Sequence, residues 1–219
     1  MYRGCGADGV LTLWGCPRIA PLHRISEVNL MVKNYNEILH KNQTLESERL
    51  ILRKFKEEDA ADILEWGSDS EVLRHLVWPG VTTLEQARAG IYNYLLSQPG
   101  IYAIELKETG KCIGDIDLRI KPEHSKLSFG YVLNRSYWGK GYMTETLKTI
   151  IKFAFEQLQA NRVAADHFGE NLASGRVMEK AGMKREGITK QSIHVRGKMH
   201  DQVWYGLVRE DYLKGEQHW

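Results

Sequence analysis

The chain has 219 residues, 42% apolar and 26% charged, with a net charge of +2, which suits one substantial globular domain with an appendage. A charge that small gives no argument for nucleic acid, and no apolar run approaches the ~20 residues needed to cross a bilayer. Three widely spaced cysteines, Cys5, Cys16 and Cys112, suggest neither a zinc site nor a disulfide framework and fit a reducing, cytoplasmic setting.

Residues 1–44 differ from the rest. They carry four glycines and two prolines with little periodicity, and Val10 to Trp14 is too short for a signal peptide. Asn29 to His40 predicts a short helix, and Met31 is a second candidate start. This segment reads as an N-terminal extension, native or not, ahead of a domain at 45–219.

From Arg49 the pattern is regular. Leu50 to Arg53 predicts a strand. Glu57, Glu58 and Asp59 load the start of a helix with negative charge, and Ile63, Leu64 and Trp66 give it an apolar face. A second piece, Ser70 to Leu76, ends near Trp78-Pro79-Gly80. Thr83 caps a helix with Leu84, Ala87, Ile91, Tyr94 and Leu95 at helical spacing, and Pro99-Gly100 stops it. Ile101 to Leu106, a turn at Glu108 to Lys111, and Cys112 to Ile120 read as a hairpin. Lys126 to Asn134 is a third strand. A helix from Thr144 to Leu158, a strand from Arg162 to Phe168, a helix from Asn171 to Ala181, and strands at Lys184 to Lys190 and His200 to Arg209 complete the chain. The order predicts an α+β fold: a mixed, mostly antiparallel central sheet flanked by helices.

Between the third strand and the long helix lies Trp138-Gly139-Lys140-Gly141-Tyr142-Met143-Thr144-Glu145. Two glycines let the backbone turn tightly, and a helix N-terminus presents free amides to an anion. Three phosphate loops compete. A Walker loop needs Ser or Thr after its lysine, and Gly141 stands there. A dinucleotide fingerprint needs a third glycine, and Thr144 stands there. The coenzyme A loop, R/Q-x-x-G-x-G/A, aligns at Gly141 and departs at Trp138 and Met143. A lone G-x-G is otherwise only a turn. Here, however, the helix behind it carries a continuous apolar stripe, Leu147, Ile150, Ile151, Ala154, Phe155 and Leu158, which fixes the loop.

A second motif, Asn171 to Met183, has a helix cap at Asn171, core positions at Val177, Met178 and Ala181, and a stop at Gly182. At this point the chain resembles the GCN5-related N-acetyltransferase superfamily, and within it the branch that acetylates the N-terminal alanine or serine of ribosomal proteins. The resemblance rests on Leu45 to Arg53, Gly130-Tyr131-Val132-Leu133, Tyr137 to Glu145, N-x-x-S-x-x-V-x-E-K-x-G-M at 171–183, and Asp201 to Tyr205. It covers roughly residues 45–212, and Trp138 is usual in that branch.

The resemblance implies an enzyme that moves the acetyl group of acetyl-CoA, a cosubstrate, to a primary amine by direct attack in a ternary complex, with no metal. Val132 and Leu133 would pair with the pantetheine amides through backbone groups of a splayed strand. Gly139, Lys140, Gly141, Tyr142, Met143 and Thr144 would hold the pyrophosphate, with Arg135, Lys140 and Arg176 as nearby cations. Asn171 would hold the pantetheine arm, and Ser174 would protonate the departing thiolate. The general base stays open. Ser128 stands where relatives often carry Glu, which leaves Asp115, Asp117, Glu123, His124, His167 or a water chain. The acceptor cleft would lie among residues 57–98 and the turn before His200, lined by Trp66, His75, Trp78 and Tyr92. The acceptor is a protein N-terminus or a small amine, with no nucleic acid or membrane partner, and the protein a monomer or homodimer. The competing reading is a binding module that keeps coenzyme A and senses acyl-CoA without turnover. A P-loop nucleotide enzyme is a third.

Overall fold

A computed structural model describes residues 35–215. The expectations for Cys5, Cys16, Met31 and Val10 to Trp14 fall outside those residues. Eight strands form one sheet: β1 (Leu45–Glu46), β2 (Leu50–Arg53), β3 (Ile101–Leu106), β4 (Cys112–Lys121), β5 (Lys126–Leu133), β6 (Arg162–Phe168), β7 (Lys184–Val195) and β8 (Lys198–Val208). Their spatial order is β1-β2-β3-β4-β5-β6-β8-β7. Every neighbouring pair is antiparallel except β5 and β6. The helices are α1 (35–41), α2 (Ala60–Gly67), α3 (Ser70–Leu73), α4 (Leu84–Asn93), α5 (Tyr142–Glu156), α6 (Leu172–Lys180) and α7 (Arg209–Gly215).

Because successive side chains of a strand leave on opposite faces, the sheet builds two cores. On the first, Leu50, Leu52, Tyr102, Ile104, Ile116, Leu127 and Val163 pack with α5 and α6. The stripe on α5 is buried as its spacing predicts: Leu147, Ile150, Ile151, Ala154 and Phe155 are closed to solvent. Each of the four larger side chains contributes roughly 1.5–3 kcal/mol. Tyr35 and Leu39 of α1 are buried in this same core, and the Tyr102 hydroxyl donates to the Asn42 carbonyl at 2.9 Å. On the second face, Ile101, Ala103, Cys112 and Val132 pack with Ile63 and Trp66 of α2 and with Ala87 and Ile91 of α4. The start of α2 is fixed by Arg53, whose guanidinium meets both Asp59 oxygens at 2.7 and 2.8 Å.

Candidate active site

The parallel pair β5–β6 is bonded over only three positions, Lys126↔Arg162, Leu127↔Val163 and Ser128↔Ala164. Beyond them each strand stays with its other neighbour: β5 with β4 out to Leu133 and β6 with β8 out to Phe168. The two strand edges therefore diverge into a wedge. The Asn134 amide donates to the Ile113 carbonyl at 2.7 Å. In an antiparallel ladder the bonded positions alternate, so Val132 is bonded to Asp115, while Tyr131 and Leu133 turn their backbone groups into the wedge. Of the pair Val132 and Leu133, the alternation thus gives the outward amide to Leu133. The Leu133 carbonyl accepts the Trp138 indole N–H at 2.7 Å.

The glycine loop crosses one end of the wedge. Gly139 and Gly141 have φ of +75° and +82°, a region costly for other residues. A side chain at Gly139 would meet nothing within 4 Å, so this side of the loop is open. The first backbone bond of α5 runs from the Glu145 amide to the Gly141 carbonyl, and the amides of Tyr142, Met143 and Thr144 precede it. The side chain of Met143 is buried. Arg49 and Glu145, quoted above only as parts of motifs, anchor this loop. Glu145 accepts from the Ser47 hydroxyl at 2.7 Å, the Arg49 amide at 2.8 Å and the Arg49 Nε at 2.7 Å. The Arg49 Nη1 reaches the Lys140 carbonyl at 3.1 Å, and its guanidinium lies 4.5 Å from the Tyr142 ring centre. Burial alone would raise the Glu145 carboxyl, but the Arg49 amide, Ser47 and the Arg49 guanidinium outweigh it and lower the pKa. The expected cations divide. Lys140 lies 5.2 Å over Tyr137, Arg135 turns to Asp69 at 3.9 Å, and Arg176 lines a separate cavity of about 550 Å³ with Leu172, Glu179 and Tyr205.

Asn171 caps α6 by accepting the Ser174 amide at 3.2 Å. Ser174 is buried, and its hydroxyl lies 2.7 Å from that of Tyr131, either donating. This contact ties α6 to β5 beside the wedge. Burial pushes the Tyr131 phenol up, and the bond to Ser174 works the other way. His167 faces the first core instead of the wedge: its Nδ1 lies 2.8 Å from the Phe168 carbonyl, and its ring lies 5.6 Å from Tyr205.

The second face of the sheet forms the other side of the wedge. Asp115 and Asp117 share it, half-buried, but they differ. Asp117 accepts from the Arg119 Nε at 2.7 Å. Asp115 has no side-chain partner among the described residues. Burial pushes its carboxyl up to about 7, with Asp117 adding to the rise and Arg119 opposing it. Ser128 sits at the closed vertex, paired on both sides with Arg119 and Ala164. Across the opening, His200 stacks on Phe168 with 4.6 Å between ring centres, and its Nδ1 lies 2.9 Å from Glu170 Oε1. The Glu170 carboxyl is held at about 2 by its own backbone amide and Lys198, with His200 adding to both. The tip of the β7–β8 hairpin closes this side: Arg196 donates to the carbonyls of Leu73, Leu76 and Trp78 at 3.0, 2.8 and 2.8 Å.

The expected cleft lining is corrected in part. Trp66 is buried in the second core against Trp78, because its helix turns that face to the sheet. Tyr92 is exposed and bonds Glu57. His75 lies near Glu170 and His200, and burial together with Arg74 lowers its pKa.

The family model described as an acetyltransferase (GNAT) domain matches residues 49–184. The uncharacterized N-acetyltransferase p20 of Bacillus licheniformis is 31% identical over 175 residues, covering 78% of this chain and 98% of that relative. A crystal structure of a GNAT-family acetyltransferase from Bacillus anthracis superposes with a TM-score of 0.70 at 30% identity, over 76% of this chain and 99% of that one. RimL, a ribosomal L7/L12 alpha-N-protein acetyltransferase solved in complex with coenzyme A, gives a TM-score of 0.65 at 25% identity, over 75% of this chain and 97% of that one.

Proposed function

The chain belongs to the GNAT acetyltransferase family, and from that premise we propose that it moves the acetyl group of acetyl-CoA to a primary amine by direct attack, with both substrates bound together. That it is an acetyl-CoA-dependent N-acetyltransferase follows from the family. The finer reading is supported above all by the wedge: a strand edge with the Leu133 amide turned outward, opening beside a loop of unpaired amides. Coenzyme A would lie in it like an added strand, its pyrophosphate against Gly139 to Thr144 and the pantetheine arm passing Asn171. The Leu133 amide would face the thioester carbonyl as it gains negative charge.

The Ser174 hydroxyl, already bonded to Tyr131, would hand a proton to the departing sulfur and be resupplied through that phenol. The likeness to a protein N-terminal acetyltransferase supports a peptide N-terminus as acceptor, with small amines as the competing class. The test is acetyl-CoA with a panel of amines: peptides beginning with alanine or serine, an amino sugar and a polyamine. Thiol release together with an added acetyl mass on one amine is expected. Coenzyme A binding with no release under any acceptor would favour the acyl-CoA sensor instead.

A further inference from the structure

The wedge needs a group that accepts the amine's proton, and the geometry points to Asp115 as that base. The inference rests on the acetyl-transfer reading above and adds a catalytic residue to it. Aliphatic amines are mostly protonated near neutral pH, and only the free amine attacks. Of the three protons on the ammonium, one must leave before the C–N bond forms, one stays on the amide, and one leaves the nitrogen as the C–S bond breaks, balancing the proton that Ser174 gives to the sulfur. A base is therefore needed on the side opposite coenzyme A.

Several titratable groups flank the second face of the sheet, and most are committed elsewhere; Asp166 accepts from the Gln202 Nε2 at 2.7 Å. Asp117 is paired with Arg119. Glu170, held at about 2 with Lys198 and His200 around it, is too weak a base. His200 has its Nδ1 against Glu170 and keeps Nε2 for a proton, which makes it the rival that the His200→Gln variant separates from Asp115. Burial and Arg74 weaken His75 as a proton acceptor.

Asp115 stands apart in position and surroundings. It sits directly opposite Val132, one residue from the Leu133 amide that faces the wedge. On its other side it faces Ala103, so both cross-strand neighbours are apolar. The charges that act on it, Asp117 and Arg119, are on its own strand, and the nearby thiol of Cys112 is buried. A carboxyl poised near 7 is matched to taking a proton at neutral pH and releasing it to water.

The test is Asp115→Asn alongside Asp117→Asn, with the amine from the panel that turns over fastest. Asp115→Asn should lower kcat by roughly 100-fold or more, leave acetyl-CoA affinity by calorimetry unchanged, and abolish the rising limb of the kcat–pH profile near 7. Asp117→Asn should keep the plateau within about twofold and move that limb to lower pH, because Asp117 helps to raise Asp115. As a check on folding, Asp115→Asn should melt higher than the parent at pH 8, where the parent holds a half-buried charge, and no higher at pH 4. Turnover within threefold of the parent with the limb in place would overturn the assignment. So would loss of the limb in His200→Gln and not in Asp115→Asn. A parent protein that acetylates no amine would instead overturn the acetyl-transfer reading itself, and this assignment with it.

Discussion

Replacing Glu145 with alanine tests whether the glycine loop is held from outside itself. The carboxylate accepts three groups from the turn before β2: the Ser47 hydroxyl, the Arg49 amide and the Arg49 guanidinium. The first two contribute about 1 kcal/mol each. The third is discounted to about 0.5–1 kcal/mol, because the Arg49 side chain is 41% exposed and partly screened. A negative charge in the first turn of α5 adds about 0.5 kcal/mol. The sum is about 3 kcal/mol, which for a domain of this size lowers Tm by roughly 6–12 °C.

The pH dependence carries its own sign. The Glu145 pKa is lowered in the folded state, so its contribution is present above the ordinary carboxylate value and is lost as pH falls through the lowered one. Thermal melts of parent and variant should differ by that margin at pH 7, and the gap should be smaller at pH 3, where part of the contribution is lost. Acetyl-CoA affinity should fall about tenfold, because the amides of Tyr142 to Thr144 lose their fixed aim. A Tm difference under 2 °C at pH 7, or an equal gap at pH 3, would refute the reasoning.

Other outcomes follow from the same geometry. Gly139→Ala adds a methyl that meets no atom, so backbone strain costs about 1 kcal/mol. Acetyl-CoA titration should show a larger loss than that strain explains, since the methyl projects on the open side. Ser174→Ala should cut kcat at least tenfold with acetyl-CoA affinity within twofold, and unchanged turnover in steady-state kinetics would remove Ser174 from the reaction. Leu39→Ala should cost about 3 kcal/mol in urea unfolding, because Leu39 is buried in the core of the sheet. A loss below 1 kcal/mol would mean that α1 is dispensable.

The sequence was most legible where burial and spacing agree. The limits of β6 at Arg162 and Phe168, the Asn171 cap and the α5 stripe follow from local pattern. The long β7–β8 hairpin was read as two shorter strands, because most of β7 is exposed and lacks an apolar alternation. Helix α7 went unread, as Tyr212 is its one buried residue. The glycine loop and Asn171–Ser174 could be singled out from motifs, whereas the wedge depends on where β5 and β6 stop pairing, which no local pattern encodes. The difference between Asp115 and Asp117 is likewise non-local: two residues apart on one face, they are separated by an arginine that reaches only one of them. Trp66 and Trp78 fit either pocket or core, with core the commoner place for aromatics at helical spacing, and the helix packing decides for core.

The strand order β6-β8-β7 has a consequence for synthesis. The glycine loop, α5 and α6 are complete by Lys180, so the donor half can assemble while the ribosome is still adding the hairpin. Until β8 emerges, however, β6 is an open strand edge, a template for unwanted pairing. β7 cannot cover that edge, because it joins the sheet only through β8. A chain halted before Lys198 would carry the glycine loop, α5 and α6 and still be prone to aggregate. The last strand to be made is the one that covers β6 and brings β7 into the sheet.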